Sequence, residues 1–178
     1  MEGAGFQFPF FYDYPPYFTL QPVKETQDKQ ISLWGALILG YCRHHKIFQL
    51  AVDNDELPLF CNTKVNRKLP WDARTLFLDA LVKTGHGEWL SKDKKSCLIL
   101  WKTKTQWADA IYGFIQSYGM QGSVMAVEEI SSGDDTRGTE LEGLDKEVIY
   151  RAVAILEDQG KARLFKGESE GEDGVKFF

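Results

Sequence analysis

Apolar residues recur with the period of a helix in four stretches of the chain, which are residues 24–46, 70–84, 104–118 and 145–160. In each of them apolar side chains stand three or four positions apart, which places them on one face of a helix. Thr26 and Asp145 are the expected N-caps of the first and the last. After the second and the fourth, a glycine precedes two short apolar runs around a polar tip, which predicts a β-hairpin.

The helix with its hairpin occurs twice, 75 residues apart. This shift places Leu69 on Leu144 and Gly85 on Gly160. The last strand, Val175–Phe178, meets its counterpart only after a slip of two residues. A helix that is closed by a hairpin and preceded by two shorter helices is the arrangement of a winged helix.

The sequence therefore predicts an α+β fold with two tandem winged-helix domains, residues 23–102 and residues 103–178. In the first domain we expect a strand at Ile47–Val52 and a second short helix near Leu57–Cys61. In the second domain, residues 123–130 are expected to form a strand and then a helix, and an acidic loop follows them.

Residues 1–22 differ from the rest of the chain and form a predicted N-terminal arm. Positions 6–18 hold eight aromatic residues and three prolines. Because proline fixes φ and disfavours helical geometry in the residue before it, we expect a stiff, extended arm. So much aromatic surface is not left in water. The arm therefore either covers the chain's own core or docks, at least by its Pro15–Phe18 end, in a pocket on a partner; the docking interpretation places it outside the core.

The charge of the chain disfavours a polyphosphate partner. Residues 131–178 carry 12 acidic and 7 basic side chains, whereas residues 1–130 hold 14 of each. A helix that reads a DNA groove usually presents several basic or amide side chains. The helix at 70–84 has no net charge, and that at 145–160 has a net charge of −2. We therefore expect no nucleic-acid partner.

The chain carries no recognisable catalytic or metal-binding motif. Its three cysteines are odd in number and lack CxxC spacing, which indicates reduced cytosolic thiols. Cys42 and the His44-His45 pair are too few for a zinc site, which needs about four converging ligands. No apolar run reaches the roughly 20 residues that span a bilayer. The sequence predicts a cytosolic protein that is not an enzyme and binds no metal or cofactor.

Four short segments resemble the small winged-helix subunit of the ESCRT-II endosomal sorting complex, a vacuolar protein sorting-associated protein present in two copies per complex. They are Tyr14–Pro22, Arg67–Pro70, Gly143–Asp145 and Gly174–Phe178. The similarity spans nearly the whole chain, and the arm motif followed by Thr-Leu-Gln-Pro is specific.

The resemblance implies that a Pro-Pro-x-aromatic motif in the arm inserts into a winged helix of a partner subunit. The residues that match this motif here are Pro15, Pro16, Tyr17 and Phe18. A degenerate upstream copy would supply a second arm contact through Pro9, Phe10 and Phe11.

The function that the resemblance implies is that of a non-enzymatic adaptor in multivesicular-body sorting of ubiquitinated membrane cargo. The arm and the first domain would dock to the two larger ESCRT-II subunits, and the second domain would recruit an ESCRT-III subunit. The protein would be cytoplasmic and peripherally recruited to endosomal membranes, with only indirect membrane contact through the complex.

Two other functions stay open at this point. One is a nucleic-acid-binding tandem winged-helix protein of transcription, a function that the charge of the helices disfavours. The other is a WW-domain ligand presented by the Pro-Pro-Tyr segment. In this chain Tyr17 follows Pro16 directly instead of standing one residue later.

Overall fold

The computed structural model describes residues 5–178, which form two compact units that divide between Trp101 and Lys102. Each unit packs helices against one three-stranded antiparallel sheet. The predicted α+β class is therefore confirmed. Residues 5–22 belong to the first unit and do not stand apart from it.

The first unit contains two helices and five short strands. Its elements are α1 (Lys24–His45), β1 (Gln49–Ala51), β2 (Cys61–Asn62), β3 (Arg67–Lys68), α2 (Trp71–Lys83), β4 (Gly87–Trp89) and β5 (Ser96–Ile99). The main sheet has the order β1-β5-β4, and β2 pairs with β3 in a separate two-stranded ladder. The expectation of an N-cap at Thr26 is wrong, because α1 begins after Val23 and no side chain caps it.

The second unit has the same arrangement with one more helix. Its elements are α3 (Lys104–Ser117), β6 (Val124–Ala126), α4 (Glu129–Ser132), α5 (Lys146–Asp158), β7 (Ala162–Phe165) and β8 (Gly174–Phe177), and the sheet order is β6-β8-β7. The predicted cap of α5 is confirmed, since the Asp145 carboxylate accepts a hydrogen bond from the backbone N–H of Glu147 at 2.8 Å. Within the predicted acidic loop, residues 134–136 form one 3₁₀ turn.

The 75-residue repeat is visible in the positions of the elements. Helix α2 spans residues 71–83 and α5 spans 146–158, so both ends are displaced by 75. The last strands are displaced further. Trp89 pairs with Cys97, and Leu164, which lies 75 residues after Trp89, pairs with Val175, which lies 78 residues after Cys97. The slip between the two hairpins is therefore three residues and not two.

The second helix expected near Leu57–Cys61 does not exist. The segment makes turns up to Phe60 and then enters β2. Pro58 lacks the N–H group that a helix interior needs, and the stretch is too short to be helical without support from packing. The prediction was wrong because it considered only the residues of the segment itself. The conformation of this segment depends on a side chain that is distant in sequence.

That side chain is Arg74 of α2, which is 2% exposed. Its guanidinium donates to the carbonyl oxygens of Leu69 and Val52, both at 2.8 Å, and to the Asp55 carboxylate at 2.9 Å. It also lies 4.8 Å from the centre of the Phe60 ring. One buried cation thus joins the end of β1, the turns that follow it and the start of α2.

Replacement of Arg74 by Met should lower the free energy of unfolding by about 3 kcal/mol or more. The reason is that two buried carbonyl groups lose their donor while the ion pair is broken. Urea denaturation followed by circular dichroism measures the loss. Lys68→Met is the matched control, because Lys68 pairs with the same Asp55 at 3.2 Å but is half exposed. Equal losses in the two variants would contradict the role assigned to Arg74.

Candidate docking site

The arm is not extended but folds into two 3₁₀ turns, Phe10–Asp13 and Pro15–Phe18. The N–H of Tyr14 donates to the Phe11 carbonyl at 3.0 Å, and the N–H of Thr19 donates to the Pro16 carbonyl at 3.2 Å. The prolines fit because the φ of a 3₁₀ turn is close to that of proline. At the start of a turn, their missing N–H groups leave no bond unmade.

One face of the arm belongs to the core of the first unit. Phe11 is 1% exposed and Phe18 is 2% exposed, and Tyr12 is also buried. The rings of Phe11 and Phe18 meet the Trp34 ring edge-on, with centroids 5.5 Å and 5.4 Å away. Trp34 in turn stacks on Phe77 of α2 at 5.7 Å. The expectation that the arm lies outside the chain's own core is therefore wrong.

Side chains of α1 hold the backbone of the arm by hydrogen bonds. The indole N–H of Trp34 donates to the Tyr17 carbonyl at 2.9 Å. The Gln30 amide donates to the carbonyls of Tyr17 and Thr19 at 3.0 and 2.9 Å, and its oxygen accepts from the N–H of Gln21 at 3.1 Å. The sequence analysis missed Gln30. Its position, one helical turn before Trp34 on an apolar face, was the available indication that it needs a buried partner.

The other end of the arm is attached to the β2–β3 ladder. The side-chain amide of Asn62 donates to the Tyr12 carbonyl at 2.7 Å, and Lys64 pairs with Asp13 at 2.8 Å. The Tyr12 hydroxyl bonds to the carbonyl of Pro58. Burial raises the pKa of Tyr12 to about 12, and the hydrogen bond from Lys64 lowers the pKa of Asp13. The β2–β3 ladder, which takes the place of the expected second helix, thus binds the arm.

The opposite face of the arm is exposed and aromatic. Phe10 is 68% exposed and Tyr14 is 56% exposed, and their ring centroids lie 6.1 Å apart. Pro16, two residues after Tyr14, is also exposed, and Tyr17 is half-buried with its ring 6.5 Å from that of Phe10. We call Phe10, Tyr14, Pro16 and Tyr17 the outer arm face. A contiguous aromatic patch of this kind is typical of an interaction site.

The structure divides the predicted contact residues between the two faces. Pro16 and Phe10 lie on the surface; Pro9, Pro15 and Tyr17 are half-buried; Phe11 and Phe18 are in the core. Tyr14, which the analysis of the sequence did not single out, is among the most exposed aromatic residues. In this conformation the ring of Phe18 is not accessible to a partner, whereas the outer arm face is.

A second candidate surface lies in the second unit, where a groove of about 500 Å³ opens beside β6. Its apolar lining residues include Phe114, Met120 and Met125, and its acidic ones are Glu129, Asp134 and Asp135. We call this the acidic groove. Methionine side chains adapt to differently shaped apolar partners, and the carboxylates favour basic ones.

No catalytic or metal chemistry emerges from the cysteines and histidines. Burial raises the pKa of Cys42 and of Cys97 to about 12, so that both thiols are neutral. Over residues 5–178, no group of three or more His, Cys, Asp or Glu side chains is placed to hold a metal ion. In the same part of the chain, no helix is both long and apolar enough to cross a membrane.

Comparison with known proteins gives one consistent result. A family model described as ESCRT-II complex subunit matches residues 11–145. The vacuolar protein sorting-associated protein 25 of Arabidopsis thaliana is 50% identical over 174 residues, which cover 98% of this chain and 97% of that protein. Its counterpart in Homo sapiens is 40% identical over 177 residues, with 99% of each chain covered.

Two solved structures are similar over almost the whole chain, each at 26% identity. The crystal structure of subunit VPS25 of the endosomal trafficking complex ESCRT-II has a TM-score of 0.86 and covers 96% of this chain and 98% of that one. A chain in the crystal structure of the endosomal complex ESCRT-II (VPS22/VPS25/VPS36) has a TM-score of 0.83, with 95% and 98% covered.

The buried position of Phe18 leads to a stability prediction. Phe18→Ala should lower the free energy of unfolding by about 3–5 kcal/mol, because it leaves a cavity beside Trp34. Phe10→Ala removes the same ring from an exposed position of the same arm, and its effect should stay within about 0.5 kcal/mol. Chemical denaturation of the two variants provides the comparison. A Phe18→Ala variant as stable as Phe10→Ala would show that the arm is not part of the core.

Proposed function

This chain belongs to the ESCRT-II complex subunit family, and from this premise we propose that it is an adaptor of an ESCRT-II complex. The resemblance found in the sequence is confirmed by this match. The family is one of complex subunits and not of enzymes, in agreement with the prediction that the chain has no catalytic activity. In our proposal the adaptor acts in multivesicular-body sorting of ubiquitinated membrane cargo.

The first part of the proposal is that the arm and the first domain dock on the two larger subunits. A similar chain occurs in a complex whose other subunits are VPS22 and VPS36. The outer arm face carries the proposal, since Phe10 and Tyr14 are more than half exposed next to Pro16. Burial of one such ring contributes about 1.5–3 kcal/mol. A proline pair that is already fixed loses little entropy on binding.

The motif residues then have different roles. Pro16 and Tyr17 contact the partner, Pro15 sets the geometry of the turn, and Phe18 fixes the turn to the core beneath it. In the upstream copy, Phe10 contacts the partner, while Phe11 anchors the arm and Pro9 accepts the first bond of the turn from the N–H of Tyr12 at 3.1 Å.

The second part of the proposal is that the second domain recruits an ESCRT-III subunit through the acidic groove. A helix with apolar residues on one face and basic residues beside them matches the apolar and acidic lining of this groove. Apolar side chains of the helix would enter between Phe114 and Met125. Its lysines or arginines would meet Asp134 and Glu129, which also line the groove.

The protein is proposed to be cytoplasmic and to reach endosomal membranes only through the complex, without a nucleic-acid partner. The charges of the helices support the last point. The Arg74 guanidinium of α2 is buried and therefore unavailable to a phosphate. In α5 the Arg151 guanidinium is paired with Glu147 at 2.6 Å. A DNA-binding function in transcription is therefore the weaker alternative.

Replacement of Tyr14 and Pro16 together by Ala should weaken binding to the larger subunits by about tenfold, roughly 1.4 kcal/mol. Both side chains are exposed, so the melting temperature of the free chain should stay nearly unchanged. Titration calorimetry against each larger subunit measures the affinity. Tyr118→Ala, which removes a ring that is 51% exposed in the second unit, is the control. Unchanged affinity in the double variant would refute docking through the outer arm face.

Replacement of Asp134 and Asp135 together by Asn should weaken binding of the ESCRT-III helix about five- to tenfold, since two carboxylates facing basic residues are lost. The control is Glu168→Gln with Glu170→Gln, which removes the same charge from the exposed tip of the β7–β8 hairpin. Fluorescence anisotropy of a labelled helix measures both. Deletion of the arm is unsuitable here because the arm is part of a core. Equal losses of affinity in the two double variants would show that the ESCRT-III helix does not bind in the acidic groove.

A further inference from the structure

The outer face of the β6-β8-β7 sheet carries a group of basic and aromatic residues. Across the three strands Val124 pairs with Lys176, and Lys176 pairs with Arg163, so these side chains form one row on one face. Because successive residues of a strand alternate between faces, Phe165 and Phe178 stand on the same side. The exposed fractions of Val124, Phe165 and Phe178 are 62%, 43% and 50%.

Each cation of this face lies over an aromatic ring. The Arg163 guanidinium is 5.6 Å from the centre of the Phe165 ring, and the Lys176 ammonium is 5.6 Å from that of Phe178. The Lys161 ammonium is 5.0 Å from that of Tyr112. We call Lys161, Arg163, Lys176, Phe165 and Phe178 the cationic sheet face. Among the residues that the structure describes, no carboxylate forms an ion pair with any of its three cations.

The fold itself does not require these charges. The corresponding row in the first unit consists of Gln49, Leu98 and Glu88, and its central leucine is fully buried. In the second unit the central position is Lys176, which is partly exposed. The centre of this row is therefore apolar and covered in the first unit but basic and partly exposed in the second, where exposed phenylalanines flank it. This difference indicates a binding function specific to the second unit.

We propose that the cationic sheet face, which adjoins the acidic groove at Val124, binds an acidic peptide segment with interspersed apolar residues. Carboxylates of the segment would pair with the three cations, and Arg163 offers a fork of donors that matches a carboxylate. Apolar side chains of the segment would cover the two exposed phenylalanines. The proposal does not depend on the identity of the partner of the acidic groove.

The charge around this face favours a short peptide over a bilayer or a polynucleotide. Residues 102–178 hold 15 acidic and 9 basic side chains, which leaves a net charge of −6. Glu168, Glu170 and Glu172 stand at the tip of the same hairpin. An extended anionic surface would meet all of these carboxylates. A short segment responds mainly to charges within about 8 Å, the Debye length at physiological salt.

The test uses the full chain and labelled 12-residue peptides in fluorescence anisotropy. One peptide alternates Glu and Asp with Leu and Trp, and its counterpart has Lys at every acidic position. The wild-type chain should bind the acidic peptide, and the affinity should fall as salt rises. The basic peptide suits the acidic groove, so replacement of Arg163 and Lys176 should not weaken its binding. Arg163→Glu with Lys176→Glu should weaken binding about tenfold or more. If circular dichroism shows that charge reversal perturbs folding, the milder double variant Arg163→Gln with Lys176→Gln is measured instead.

The matched control is Lys92→Glu with Lys95→Glu, which changes the charge equally at the exposed tip of the β4–β5 hairpin and should leave binding within about twofold. Two further probes are vesicles containing phosphatidylserine and a single-stranded oligonucleotide, neither of which should bind at physiological salt. Absence of binding to the acidic peptide, an equal loss in the control, or binding of vesicles or oligonucleotide that depends on Arg163 and Lys176 would each overturn the proposal.

Discussion

The first unit depends on the environment of one indole ring. Trp34 lies between Phe77 of α2 and the arm residues Phe11 and Phe18, and its N–H bonds to the arm backbone at Tyr17. A single side chain of α1 thus joins its own helix to two other parts of the sequence, the arm and α2. Because protein interiors are close-packed, loss of any ring around it affects the others. The arm and the two helices therefore form one cooperative core.

A carboxylate binds each hairpin to its helix. This carboxylate belongs to the helix in the first unit and to the hairpin in the second. In the first unit Asp79 on α2 accepts from the Trp89 indole at 2.9 Å and from Lys94 at 2.8 Å, both of the hairpin. In the second unit Asp173 of the hairpin accepts from the Tyr150 hydroxyl of α5 at 2.5 Å. That bond holds the pKa of Asp173 well below its usual value and raises the pKa of Tyr150 to about 12. The repeated architecture thus does not repeat its polar contacts.

How much of the molecule can be predicted from the sequence depends on the range of the forces that shape each part. The periodicity of apolar residues locates the long helices, and the 75-residue repeat gives the ends of α5 from those of α2. The segment before β2 could not be predicted, because its path is determined by Arg74 from a later helix. For the arm, composition identifies a patch that must be covered. Which rings turn inward depends on Trp34 and Gln30, so composition could not predict that Phe18 is buried and Tyr14 exposed.

In the docking proposed above, the folded state of the arm also determines how quickly a partner is captured there. A disordered segment must order itself during the encounter, and part of the interaction free energy is spent on that ordering. Here the hydrogen bonds from Gln30, Trp34 and Asn62 complete the ordering before any encounter. The proposed association then requires no folding of the arm, and rate constants of about 10⁵–10⁷ M⁻¹s⁻¹ are typical of such docking. The lifetime of the complex, rather than the speed of its formation, becomes the quantity that changes in the outer arm face would tune.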